Sequence, residues 1–180
     1  MTSPLVILFG VAIFLAAALL FVVQPMVGRM VLPRFGGSPE VWNTSMVFFQ
    51  IALLAGYAYA HFSVRWLGLR RQILFHGLVL LLPLLVLPIN LPGWTAEPGA
   101  WQSPWILLLL TAAVGAPFFV LSTASPLLQR WFASTGLEGS EDPYFLYAAS
   151  NAGSLLGLLS YPFLVEPYLA LGSQSELWAL

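Results

Sequence analysis

Residues 4–23 form a run of twenty residues without one polar side chain. At a rise of ~1.5 Å per residue, a helix of that length covers the ~30 Å hydrocarbon layer of a bilayer. This is the feature that most narrows the fold, because such a segment has to meet apolar surroundings on every side. A cleaved leader is the competing reading, since Ala16-Ala17-Ala18 looks like a small-residue processing site. A secretory apolar core, however, is only ~7–15 residues long and follows basic residues. No Lys or Arg precedes this one, so the segment is read as a retained membrane helix.

The remaining chain extends the same argument. It is 59% hydrophobic and 7% charged over 180 residues, whereas a soluble domain carries about a quarter charged residues. The polar surface needed to face water all round is missing. Six Arg, no Lys and a net charge of -1 leave no basic footprint for nucleic acid. Cysteine is absent, which removes disulfides, thiolate chemistry and Cys-ligated metal together.

Four expected helix starts share one piece of chemistry. Ser3-Pro4, Ser38-Pro39, Ser103-Pro104 and Asp142-Pro143 each place a capping oxygen before a proline. The oxygen satisfies an orphan N–H, and proline at the first helical position loses no bond. Apolar runs after these points predict helices near 4–27, 39–64, 104–131 and 143–165. A further helix near 71–92 follows Arg70-Arg71, with Pro83 and Pro88 read as kinks. Ser173-Gln174-Ser175-Glu176 reads as a capping box, so a sixth helix is expected to begin near 174. It runs out of residues, and a C-terminal part of the protein is expected to be missing. The connections fall at 28–38, 92–103 and 133–142.

The fold class is therefore an all-α polytopic membrane bundle. It has five transmembrane helices and the start of a sixth, in one domain spanning 1–180. With the N-terminus in the cytoplasm, inside loops hold Arg65, Arg70, Arg71 and Arg130, and outside loops hold Arg29 and Arg34. The positive-inside rule favours that orientation. Trp66 and Trp131 are then expected at the inner interface and Trp42, Trp94, Trp101 and Trp105 at the outer one.

Side-chain-poor stripes are the clearest packing signal. Ala149, Gly153 and Gly157 recur every four residues, as do Ala52, Gly56 and Ala60, while Ala112 and Ala116 add a shorter pair. Such stripes let backbones approach closely in lipid, either within one chain or against a partner subunit. Among the polar residues within the expected spans, Gln50, His76 and Asn151 are the candidates for a polar site. Each has a plainer reading as a helix-to-helix hydrogen bond. His61 and His76 are the only histidines, and two imidazoles without a carboxylate or thiolate make a poor metal site. No P-loop lysine, no Ser-x-x-Lys and no His-Glu-x-x-His occurs. No catalytic residue, metal ligand or cofactor is assigned.

Several stretches resemble the N-terminal membrane region of the fused major facilitator/spermidine synthase-like bacterial proteins. They include Gln24-Pro25-Met26, Pro33-Arg34-Phe35-Gly36-Gly37-Ser38-Pro39, Gly56-Tyr57-Ala58-Tyr59-Ala60-His61 and Ser125-Pro126-Leu127-Leu128-Gln129-Arg130-Trp131. The most specific is Pro143-Tyr144-Phe145-Leu146-Tyr147-Ala148-Ala149-Ser150-Asn151-Ala152-Gly153-Ser154. The resemblance implies half of a major-facilitator-like bundle joined to a Rossmann-type catalytic domain that these residues do not contain. Arg65, Gly68, Arg70 and Arg71 echo the major facilitator loop, but its Asp is absent.

The function expected is that of a non-catalytic structural or accessory subunit in the cell inner membrane. Its partners are the lipid bilayer and other membrane protein subunits. The alternatives are the N-terminal half of a small-solute transporter and the membrane domain of a spermidine synthase-like protein.

Overall fold

The computed structural model describes residues 3–94, 101–137 and 139–180. Residues 95–100 of the connection at 92–103, and Glu138 in the connection at 133–142, lie outside the described residues. Among the described residues every regular element is helical. Helix α1 is Pro4–Phe35, and α2 is Pro39–Val79 with a sharp reversal at Gly68. A 3-10 turn, Leu82–Leu85, follows. Helix α3, Gln102–Leu110, runs through a π turn, Thr111–Gly115, into α4, Ala116–Ala133. Helix α5, Tyr144–Ser160, ends in a second π turn, Tyr161–Val165, and α6 is Leu171–Ala179. Four helical stretches are long and apolar enough to cross a membrane: Pro4–Phe35, Pro39–Leu85, Gln102–Ala133 and Tyr144–Val165.

The first helix does not end near 27. It continues through the expected connection at 28–38 as far as Phe35, with Pro25 and Pro33 inside it. Gly28, read as a loop residue, is a packing residue: a Cβ there would lie 3.3 Å from the Trp42 ring. The true stop is Gly36, whose φ of 80° is open mainly to glycine and whose N–H caps Leu32 O at 2.9 Å.

The second and third expected helices differ most from the structure. The first arm of α2 continues past 64, and Gly68 reverses the chain with φ 70° and ψ 162°. A second arm then lies alongside the first, bringing Tyr59 and His76 into contact. That arm ends at Val79 instead of reaching 92. Pro83 stops the helix because it has no N–H to donate and its ring would strike the carbonyl four residues back, that of Val79. The chain from 86 to 92 is irregular, yet its carbonyls find side-chain donors. Asn90 Nδ2 donates to Pro88 O at 3.1 Å and Ser175 Oγ to Ile89 O at 2.6 Å. Arg34 donates to Leu91 O at 3.1 Å and also to Pro92 O. Satisfied backbone of this kind is what lets a non-helical segment sit inside a membrane bundle.

Only two of the expected side-chain caps form. Ser3 and Ser38 accept from Leu5 N and Val41 N, each at 3.4 Å. Ser103 instead donates to Glu40 Oε1 at 2.7 Å and accepts from Thr44 at 3.2 Å, and α3 begins at Gln102, two residues before the expected start. Asp142 caps nothing, and α5 opens after Pro143 without a side-chain cap. The capping box at 173–176 is absent as well, because α6 starts at Leu171 and its polar residues turn inward. Gln174 Nε2 donates to Leu169 O at 2.7 Å. For Ser103 and Ser175 a partner far along the chain, Glu40 and Ile89 O, takes the place of the local one.

Both π turns sit at prolines. Pro117 follows the first, and Pro162 lies within the second. A widened turn makes room for a ring that would otherwise strike the carbonyl four residues back. Helix α1 is central and packs most extensively on α5, with α4 on another side, while α2 and α4 form the second large pair. The larger core gathers Val23, Met26, Phe49, Ile89, Ile106 and Phe118. A smaller one joins Ile13, Phe132 and Leu146.

Candidate functional site

The two stripes of small residues lie in two different interfaces. On α5, a Cβ at Gly153 would stand 2.2 Å from Phe14 O, and one at Gly157 would stand 2.6 Å from Ala18 O. Both distances are to backbone, so α5 lies directly on the main chain of α1. The pairs 14/153 and 18/157 advance together, so the two helices run in the same direction. Ala149, one turn earlier, is half-buried. On α2, a Cβ at Gly56 would overlap the Ser122 hydroxyl of α4 at 1.7 Å. Ala60 is buried in the same face, and Ala52 packs against the main core.

The three polar candidates are not brought together. His76 is buried at 3% exposure. Gln50 and Asn151 are exposed, the first on α2 and the second on α5. What surrounds His76 is a seam of polar and aromatic groups between the arms of α2 and helix α4. Tyr59 Oη lies 3.2 Å from His76 Nδ1. The Trp131 ring and the imidazole are nearly perpendicular with centroids 5.7 Å apart, and the indole Nε1 donates to Gln72 Oε1 at 2.8 Å. Gln72 is fully buried, and its Nε2 has no hydrogen-bond partner among the described residues. Trp131 is thus half-buried against the second arm of α2.

Tyr59, Gln72 and Trp131 were not among the polar-site candidates read from the sequence. Gln72 lies in the helix expected near 71–92, directly after two arginines, and its spacing of four from His76 puts both on one helical face. The seam holds an imidazole, a phenol, an indole and an amide. Chemically it is a hydrogen-bonding clasp that fastens the α2 reversal to α4. Among the described residues, no three His, Cys, Asp or Glu side chains gather in a group able to hold a metal ion.

Helix α5 has a second, outward face. Tyr144, Tyr147, Asn151, Leu155 and Leu158 follow one another at helical spacing, and all five are exposed. Asn151 is the one amide in that row, seven residues (~10 Å) along the helix. At the far end of the bundle Arg29 Nη1 and Glu166 Oε1 form an ion pair at 2.7 Å. No family model, curated protein or solved structure matches the chain. The resemblance to the fused major facilitator/spermidine synthase-like proteins therefore rests on the quoted stretches alone.

Proposed function

We propose that the chain is a non-catalytic multi-pass membrane protein that acts as a structural or accessory subunit. It docks through the outward face of α5 on a helix of a larger membrane assembly. The observation that carries this reading is Asn151. Lipid tails offer an amide no hydrogen-bond partner, and an unsatisfied polar group in hydrocarbon costs several kcal/mol or about that. A helix of another subunit removes the cost and adds an interhelical bond of ~0.6–2 kcal/mol. The flanking Tyr147 and Leu155, about half exposed each, supply the apolar contact around it.

In this reading the membrane is the bacterial inner membrane and the N-terminus is cytoplasmic. Support comes from the arginines. Arg65, Arg70 and Arg71 flank the Gly68 reversal and are exposed, as is Arg130. Arg29 and Arg34 at the opposite end are engaged by Glu166 and by backbone carbonyls. A fifth crossing is made by the second arm of α2, the 3-10 turn and the irregular chain to Pro92.

Site-specific photo-crosslinking in native membranes tests the docking face. A photoreactive residue at Leu155 is expected to give one discrete protein adduct, and the same residue at Leu74 on α2 only lipid adducts. The Leu155 adduct is expected to disappear in Asn151→Leu. Lipid adducts alone from Leu155 overturn the docking reading. Aminopropyl transfer by the purified chain above a boiled control overturns the non-catalytic part.

A further inference from the structure

A cleft of about 550 Å³ opens between α2 and α4 at the end of the bundle that carries the Gly68 reversal. From α2 it takes Tyr57, Ala60, His61, Val64 and Arg65, which share one helical face by spacing. From α4 it takes Pro126 and Arg130, one turn apart. Ala60, Val64 and Pro126 supply apolar lining, Tyr57 and His61 are mixed, and Arg65 and Arg130 are cationic. The one ion pair among the described residues joins Arg29 to Glu166, so no described carboxylate neutralises Arg65 or Arg130.

The cleft does not end at Tyr57. That ring also lines a second groove of about 350 Å³, whose other walls are Gln50, Ile51, Leu53 and Leu54. The two grooves follow α2 in line, and the distance from Arg65 to Ile51 is ~21 Å at helical rise. Half of a bilayer's hydrocarbon layer is ~15 Å deep, so the pair of grooves is long enough for an acyl chain that begins at the rim.

We infer that this cleft binds an anionic phospholipid. Its phosphate sits between Arg65 and Arg130, and one acyl chain lies along Tyr57, Leu54 and Ile51. A paired guanidinium rim suits phosphate oxygens, which accept several charge-assisted hydrogen bonds at once. The apolar lining requires the ligand to carry a hydrocarbon tail as well. The inference rests on the chain spanning a membrane and is independent of the α5 docking face.

Native mass spectrometry of the delipidated chain in mild detergent is the test. The probes are phosphatidylglycerol, phosphatidylcholine and glycerol 3-phosphate. Phosphatidylglycerol is expected to be retained at one per chain, and the other two to be lost. Arg65→Gln/Arg130→Gln is expected to weaken retention about tenfold to thirtyfold, from the effect of two cations near a phosphate. Both side chains are exposed, so the melting temperature stays that of wild type. Val64→Trp fills the cleft without changing charge and is expected to weaken retention as well. Equal weakening by Arg70→Gln/Arg71→Gln, which lie outside the cleft, overturns the site in favour of unspecific surface charge. Equal retention of phosphatidylcholine overturns the role of the arginines, and tight binding of glycerol 3-phosphate overturns the acyl groove. The Leu155 crosslink is unaffected by any of these results, which separates this inference from the docking reading.

Discussion

Helix α5 meets α1 backbone to backbone, whereas α2 meets α4 through side chains. Both interfaces use a stripe of small residues at the same spacing, yet the partner differs. Under Gly153 and Gly157 lie the carbonyls of Phe14 and Ala18, which belong to a continuous helix and cannot move singly. Under Gly56 the nearest atoms belong to the Ser122 side chain, which donates to Phe119 O at 2.6 Å, and that main-chain oxygen lies behind it at 3.2 Å from a Cβ at Gly56. A few residues further along, the same α2–α4 interface becomes the clasp of Tyr59, Gln72, His76 and Trp131. Close backbone approach gives α1–α5 many weak contacts that fade together when the helices part. The α2–α4 pair instead depends on a few directional bonds that can be removed one at a time.

The harshest test of this contrast is Gly153→Leu. The whole of α5 has to lift off α1, and overpacking of this kind costs ~1–3 kcal/mol or more. The expected result is loss of the folded chain in detergent, read as collapse of the thermal transition. A wild-type transition would show that α5 does not rest on the α1 backbone. Gly153→Ala is expected to be nearly as damaging, since its added Cβ already overlaps Phe14 O.

Gly56→Ala sharpens the comparison. Its clash is chiefly with Ser122, and a loss of ~1–2 kcal/mol is expected. Ser122→Gly in the same chain is expected to restore at least half of it, because the obstructing side chain is gone. No substitution at Phe14 can rescue Gly153→Ala, because what obstructs it is main chain. Absence of rescue at Gly56 would make the two interfaces alike.

A smaller effect is expected in the clasp. Trp131→Phe removes the donor to Gln72 Oε1 and leaves a buried amide wholly unpaired, at a cost of about 0.6 kcal/mol by the average for hydrogen bonds between membrane helices. Gln72→Leu added to Trp131→Phe is expected to recover part of the loss, since removing both polar partners is close to neutral. Additive losses in the double variant would show that the bond does not couple the two positions. Asn151→Leu is expected to change the stability of the isolated chain by less than ~0.5 kcal/mol, as is usual for exposed positions.

The apolar runs were decisive for the fold class because length against bilayer thickness needs no tertiary information. The long helices starting at Pro4, Pro39 and Tyr144 follow directly from that reading. Small residues every fourth position likewise announced close approach. The ends and the site were harder to read. Gly28 and Gly68 are the same residue type, and nothing local tells that one packs under Trp42 while the other reverses the chain. Ser103, Asp142 and Ser175 all carry capping chemistry, but Ser103 and Ser175 are drawn to Glu40 and Ile89 O from far along the chain. Gln72 and Trp131 stand 59 residues apart and become partners only after the α2 reversal brings them together. By itself, then, the sequence determined that the chain forms helices long and apolar enough to cross a membrane, because length, hydropathy and internal backbone hydrogen bonding are properties of each segment alone. Which glycine faces a backbone, which proline ends a helix and which amide is buried were decided by tertiary structure, because each depends on the atoms a distant segment places opposite it.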